Sequence, residues 1–185
     1  MGDITQLIVR ARAGERGAFD ELFQTLYPDL RRIAHVRLSR HVRDTLMDTT
    51  VLVHECYMKF VNAQRLAVED RVHFLSYAAS AMRSIIVDVA RAARAERRGG
   101  DAPHVTLNTE HADSVAAGED QIVDIDEALK ELAKLDERLV RVVEMRYFAG
   151  MTDAEIGAAL GVTDRTVRRD WEKARLLLAH ALRDR

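Results

Sequence analysis

Apolar residues recur at helical spacing along most of the chain, and no stretch alternates convincingly with period two. Asp3 can cap a first helix carrying Ile4, Leu7, Ile8 and Ala11, after which Gly14 and Gly17 loosen the chain. Phe19, Leu22, Phe23, Leu26 and Tyr27 form the next stripe. Pro28 removes a backbone donor inside that pattern and predicts a kink or a restart, with Leu30, Ile33, Ala34 and Leu38 continuing beyond it. Asp44 or Thr45 is expected to open a helix with Leu52, Val53, Cys56, Tyr57, Phe60 and Val61. The periodicity breaks from Asn62 to Arg71, which reads as a loop. A long helix follows through Phe74, Leu75, Ala78, Ala79, Met82, Ile85, Ile86 and Val89, and its far end, Arg91 to Arg98, is almost entirely cationic on one face.

Gly99 to Gly118 has Gly-rich ends, Pro103 and no apolar period, so it reads as a linker with a reach of roughly 3.3 Å per residue. Helical spacing restarts from Gln121 with Ile122, Ile125, Leu129 and Leu132. Asp136 caps a further helix with Leu139, Val142, Val143 and Tyr147 that stops at Gly150. The expected architecture is all-α: two small helical domains, 1–98 and 121–185, joined by a flexible acidic linker, 99–120.

Met151 to Arg175 carries the densest set of local signals. Thr152 followed by Glu155 is a capping box, each side chain able to satisfy a backbone N–H at a helix start. Ile156, Ala159 and Leu160 give that helix an apolar stripe, and Gly161 ends it. Thr163 can cap the next helix, whose inward face is Val167, Trp171, Ala174 and Leu178. Arg165, Thr166, Arg168, Arg169 and Lys173 are left on its other faces. This is the pattern of a helix-turn-helix whose second helix enters a DNA major groove; an ordinary hairpin with a solvated basic face is the plainer alternative.

Charge adds organisation that the formal net charge of -2 hides. Arg71 to Arg98 holds six Arg against Asp88 and Glu96, whereas Asp101 to Glu137 holds eleven acids against Lys130 and Lys134. The chain is net basic again from Thr163. Two basic blocks around an acidic one suggest two polyanion-binding surfaces with a spacer. Cys56, the only cysteine, excludes an internal disulfide and falls on an apolar stripe. The N-terminus lacks an apolar signal region and no apolar run approaches spanning length, so a cytoplasmic chain without membrane insertion is expected. His54, Cys56 and His73 are too dispersed for a metal site, and the sequence shows no phosphate-binding Gly loop or nucleophile elbow. Neither metal, cofactor nor catalytic residue is expected, and the chain is not read as an enzyme.

The chain resembles the extracytoplasmic-function (ECF) type of bacterial RNA polymerase sigma factor over nearly its whole length. AEIGAALGVTDRTVRRDWEKAR is similar to that family's -35-binding helix-turn-helix. MRSIIVDVAR, Met82 to Arg91, looks like its promoter-melting helix, and Val53-His54-Glu55-Cys56-Tyr57 stands where the family has VQEVF. The resemblance implies a monomeric promoter-recognition subunit. Residues 1–98 would dock on the coiled coil of the largest polymerase subunit and open the -10 element. Residues 121–185 would read the -35 element beside the flap of the second-largest subunit, while the linker threads toward the active-site cleft. A response regulator with the same helix-turn-helix would need an upstream α/β receiver, and no such strands are visible. A helix-turn-helix regulator that is not a polymerase subunit stands as the alternative.

Base edges in a major groove are read by short polar or forked cationic side chains early in a helix. Thr163, Arg165, Thr166, Arg168 and Arg169 fit that requirement, with Lys173 and Arg175 placed for phosphates. Asp170 departs from the Arg common in the family, either pairing with a neighbouring Arg or disfavouring a contact. By resemblance, the loop Asn62 to Arg71 carries a pocket for a base held outside the stack, and Arg83, Ser84, Arg91, Arg94, Arg97 and Arg98 hold the unpaired strand. Phe74 and Tyr77 are the nearby aromatic candidates for stacking, Phe74 reading rather as core.

The polymerase-docking helix of the family opens with acids, near DAEDLVQE; here the matching run is Asp48-Thr49-Thr50-Val51-Leu52-Val53-His54-Glu55. Asp48, Thr49, Thr50, His54 and Glu55 are the implied polymerase contacts, but Thr50 and Val51 stand where acids are expected. Phosphate on Thr50, or on Thr49, would restore about -1.5 to -2 charge at a helix start. A Ser/Thr kinase is therefore one candidate regulator and an anti-sigma factor the other; plain capping by Thr49 and Thr50 is the simpler account.

Overall fold

The computed structural model describes residues 2–41, 47–62, 68–98 and 109–183. Among these residues every regular element is helical, as the period of the apolar positions requires. Helices α1 (Gly2–Arg12), α2 (Arg16–His41), α3 (Thr49–Asn62) and α4 (Arg71–Arg98) make up the first set. They bury Ile8, Leu22, Leu26, Leu30, Leu52, Cys56, Phe74 and Met82 against one another. Phe60 packs on Phe74 at 5.1 Å between ring centroids and meets Tyr77 edge-on at 4.9 Å. Phe74 is core, as its spacing suggests, whereas Tyr77 stays 46% exposed.

Several helix starts differ from those read in the sequence. Helix α1 begins at Gly2, so Asp3 lies inside it rather than capping it, and of the kink or restart expected at Pro28 the restart does not occur, since α2 runs through it. Proline there costs the Gln24 carbonyl its helical donor, but both residues face solvent, where water replaces it. Helix α3 opens at Thr49 with Asp48 as its cap: Asp48 Oδ1 accepts from Val51 N at 2.8 Å. The alternatives Asp44 and Thr45 lie outside the described residues, as do 63–67 of the loop expected to carry the base pocket.

Helix α5 (Thr109–Leu135) begins inside the segment expected as linker, so 109–118 belong to a helix. Residues 99–108 lie outside the described residues. Residues 109–118 lack an apolar period; they hold Ala112, Ala116 and Ala117, the best helix formers, and carry Gly118 inside the helix at a cost of about 1 kcal/mol. Asp136 then caps α6 (Glu137–Val143), its carboxylate accepting from Arg138 N at 3.0 Å. A π-helical turn, Glu144–Phe148, follows and turns both Met145 and Phe148 inward. Gly150, at φ 66°, releases the chain into α7 (Asp153–Leu160) and α8 (Asp164–Arg183).

Helix α4 is central. It packs on α2 and α3 on one side and on α5, the π turn and α7 on the other. His73 Nε2 lies 3.4 Å from the Ala159 carbonyl, and Ser80 Oγ lies 3.4 Å from Glu144 Oε1. One continuous apolar core runs from Ile8 and Leu22 through Met82 to Leu139, Ile156 and Val167. Among the described residues no helix is long and apolar enough to cross a membrane.

Candidate nucleic-acid interface

The helix-turn-helix forms as its local chemistry dictates. Thr152 is extended (φ -74°, ψ 159°) and caps α7, its hydroxyl accepting from Glu155 N at 3.3 Å. Glu155 Oε2 closes the box by accepting from Thr152 N at 2.9 Å. That backbone bond, followed by the Thr152 hydroxyl and the fields of Arg71 and Arg32, holds the Glu155 carboxyl below the ordinary carboxylate range. Gly161 ends α7 in the left-handed region at φ 65°. Gly157 is the less obvious requirement: a Cβ there would stand 2.7 Å from the Val162 carbonyl oxygen, so only glycine lets the turn close on α7.

Helix α8 buries Val167, Asp170 and Ala174 and leaves its cations outside. Thr163 Oγ1 accepts from Thr166 N at 3.3 Å and lies 3.0 Å from Thr166 Oγ1, so these two threonines are engaged in the cap. Arg165, Arg168, Arg169, Lys173 and Arg175 are all exposed. Arg168 approaches Asp153 at 3.7 Å, Arg169 reaches Asp170 at 3.7 Å, Lys173 Asp136 at 4.0 Å and Arg175 Glu172 at 3.6 Å. The long, largely solvated pairs of Lys173 and Arg175 and the partly exposed pair of Arg168 are worth under about 1 kcal/mol and yield readily to a phosphate, whereas Arg169 meets a carboxylate that is itself buried.

Asp170 is resolved by its burial. It is 3% exposed and accepts from Arg138 Nε of α6 at 2.8 Å, a bond that fixes the recognition helix to its support. Trp171 is half-buried against the core, with the Arg146 guanidinium 5.0 Å from its ring centroid. Arg146 also pairs with Asp153. Thus α6, the π turn and the start of α7 are all tied to α8 by arginine.

The second cationic surface is differently placed. Arg83 donates to Asp126 Oδ1 and to Glu144 Oε1, each at 2.7 Å. Arg91 donates to Asp126 Oδ2 at 3.0 Å, and Arg94 forms an ion pair with Asp120 at 3.2 Å. Ser84 Oγ accepts from Lys59 Nζ at 2.8 Å. Four of the residues expected to hold an unpaired strand are therefore occupied within the chain. The side chains of Arg97 and Arg98 lie outside the described residues. Sequence reasoning misses the carboxylate partners, although one signal is available. Asp126 lies four residues after Ile122 and three before Leu129, on an apolar face, and a buried carboxylate requires a cation.

At the start of α3, Thr50, His54 and Glu55 are exposed and Thr49 is half-buried, while Asp48 serves as the cap. A groove between α3 and α4 is lined by Val51, Glu55, Met58, Ile85, Asp88 and Val89. Cys56, on the same helix α3, is buried in the core, and burial pushes its thiol up to about 12, which keeps it a neutral core group. Among the described residues no three His, Cys, Asp or Glu side chains gather into a metal cage.

The fold and this site define an all-α protein ending in a helix-turn-helix with an exposed cationic recognition helix. The chain belongs to the ECF sigma factor family, whose model matches residues 1–184. No curated protein matches it. As a member of that family it is a sigma factor, of the class that binds core RNA polymerase and promoter DNA to direct transcription initiation.

Proposed function

We propose that this sigma factor divides its work as 1–98 and 121–185, with 99–120 between them. In this reading α8 enters the major groove of the -35 element. Arg165, Arg168 and Arg169 face base edges, Lys173 and Arg175 face phosphates, and Thr163 and Thr166 preset the helix start. Helix α4 holds the unpaired -10 strand through Arg83, Arg91 and Arg94, with Arg97 and Arg98 beyond. The α3–α4 groove, with Asp48, His54 and Glu55 at its helix, meets the coiled coil of the largest polymerase subunit, and residues 121–185 lie beside the flap. The observation that carries the reading is the exposed cationic face of α8 on a closed helix-turn-helix, in a chain matched by the family over 1–184.

Control by phosphorylation belongs to the same reading. The first turn of α3 contains no acidic residue, and Thr50 is exposed within it. Transfer of a phosphoryl group from a nucleoside triphosphate to its hydroxyl places about -1.5 to -2 charge, shared over three terminal oxygens, where the helix dipole favours it. Thr49, half-buried beside it, is the weaker acceptor. A Ser/Thr kinase is thus the regulator we favour over an anti-sigma factor. The test is fluorescence anisotropy of core-polymerase binding at fixed salt for wild type, Thr50→Glu and the chain phosphorylated at Thr50. Weak wild-type binding that strengthens about tenfold with the added charge supports the switch. Tight wild-type binding that the charge leaves unchanged removes it.

A further inference from the structure

We propose that the chain holds itself closed, with α5 and the π turn lying as an internal acidic strap over the strand-holding face of α4. The proposal rests on the reading of α4 as that face. Its basis is an unusual convergence. Asp126, whose side chain is 7% exposed, takes Arg83 at 2.7 Å, Arg91 at 3.0 Å and, from its own helix, Lys130 at 2.8 Å. Glu144 of the π turn takes the second guanidinium nitrogen of Arg83 at 2.7 Å. Asp120 takes Arg94 one helical turn beyond Arg91. Three cations along α4 therefore meet three carboxylates that are distant from them in sequence.

A guanidinium offers its forked donors to a carboxylate or to a phosphate in the same way, so strap and nucleic acid compete for the same atoms. Both Nη atoms of Arg83 are already committed, and its Nε is buried without an acceptor. The guanidinium cannot serve DNA while the strap is in place. Arg91 and Arg94 are partly exposed and remain reachable by a polyanion at the rim. Beneath the outer pairs Val87 and Ala90 meet Ile122 and Val123, with Ile86 beside them, while Leu129 and Leu132 of α5 and Met145 and Phe148 of the π turn belong to the main core. The ion pairs clamp the Asp120–Asp126 stretch of α5, where the outer seam is small, and an opposing polyanion or a surface that draws this stretch away can open it. The binding-competent form is then a minor part of the free population, which lowers apparent affinity by that fraction.

The experiment uses the full chain and a fluorescein-labelled single-stranded oligonucleotide of about 15 nucleotides, enough to span α4. Anisotropy is read for wild type, for Asp126→Asn with Glu144→Gln, and for Asp120→Asn. The double variant should bind about tenfold tighter than wild type, within the usual range of intramolecular coupling. Asp120→Asn, at a half-exposed position that leaves the buried pairs intact, should tighten binding about two- to threefold and serves if the double variant fails to fold. Equal affinity of wild type and the folded variants overturns the strap. A parallel assay separates this from failure of the underlying reading. In polymerase holoenzyme, Arg91→Ala with Arg94→Ala should abolish promoter opening whether or not a strap exists. Unchanged opening there, with no oligonucleotide binding by any free form, overturns the reading of α4 and the strap with it.

Discussion

Single residues decide how firmly the recognition helix is presented. Asp170 looks out of place among arginines, yet it lies three residues after Val167 and four before Ala174, on the inward stripe of α8. A carboxylate there must find a cation, and Arg138 supplies it at 2.8 Å. The periodicity therefore places Asp170 inside, but does not say which of the many arginines meets it. Glu155 lends itself to a test. Its carboxyl is held low by hydrogen bonds from Thr152, so its contribution is fully present above the ordinary carboxylate range and is lost as pH falls through the folded-state value. Thr152→Ala should cost about 1 kcal/mol near neutral pH, and Glu155→Gln should remove part of the acid sensitivity of thermal unfolding. A Glu155→Gln chain with an unchanged acid limb would show that the box does not couple to global stability.

At the scale of elements, sequence and structure agree best where apolar period and a single cap candidate coincide. The α6–α7–α8 run is legible for that reason: Asp136, Thr152, Gly161 and Thr163 each sit where the cap or turn is observed. The start of α5 is not, because 109–118 is helical without an apolar face, and period is the signal being read. The start of α3 is misplaced for a different reason, since several Asp and Thr residues compete as caps within a few positions. Gly157 is invisible to both signals; it looks like one more small residue in an Ala-rich helix, and only its approach to the Val162 carbonyl oxygen gives it a role. Gly157→Ala should destabilise the helix-turn-helix by about 1–3 kcal/mol through this backbone overlap, measured by urea denaturation, and weaken duplex binding in parallel. Wild-type stability in that variant would mean that the turn relaxes freely and that close packing there is not required.

For the whole molecule, the charge segregation is visible along the sequence, but its purpose is not. Two basic blocks around an acidic one suggest two polyanion surfaces held apart by a spacer. The structure instead folds part of the acidic block back onto the first basic one, so that α4 pairs with α5 while α8 keeps its cations outward. Non-local pairing of this kind depends on how helices pack, which local period and caps do not encode. The resulting asymmetry, one cationic face covered and one open, fits a subunit that meets duplex DNA and polymerase before it holds a single strand. The most direct test is run-off transcription with purified core polymerase over genomic fragments, with and without the chain. Transcripts should start at a small set of sites sharing two upstream elements, and Arg168→Ala should relax selection at the outer element by about 1–3 kcal/mol in site preference. A chain that binds those fragments yet leaves the start sites of core polymerase unchanged would be a helix-turn-helix regulator acting outside the polymerase, which contradicts promoter selection as a polymerase subunit.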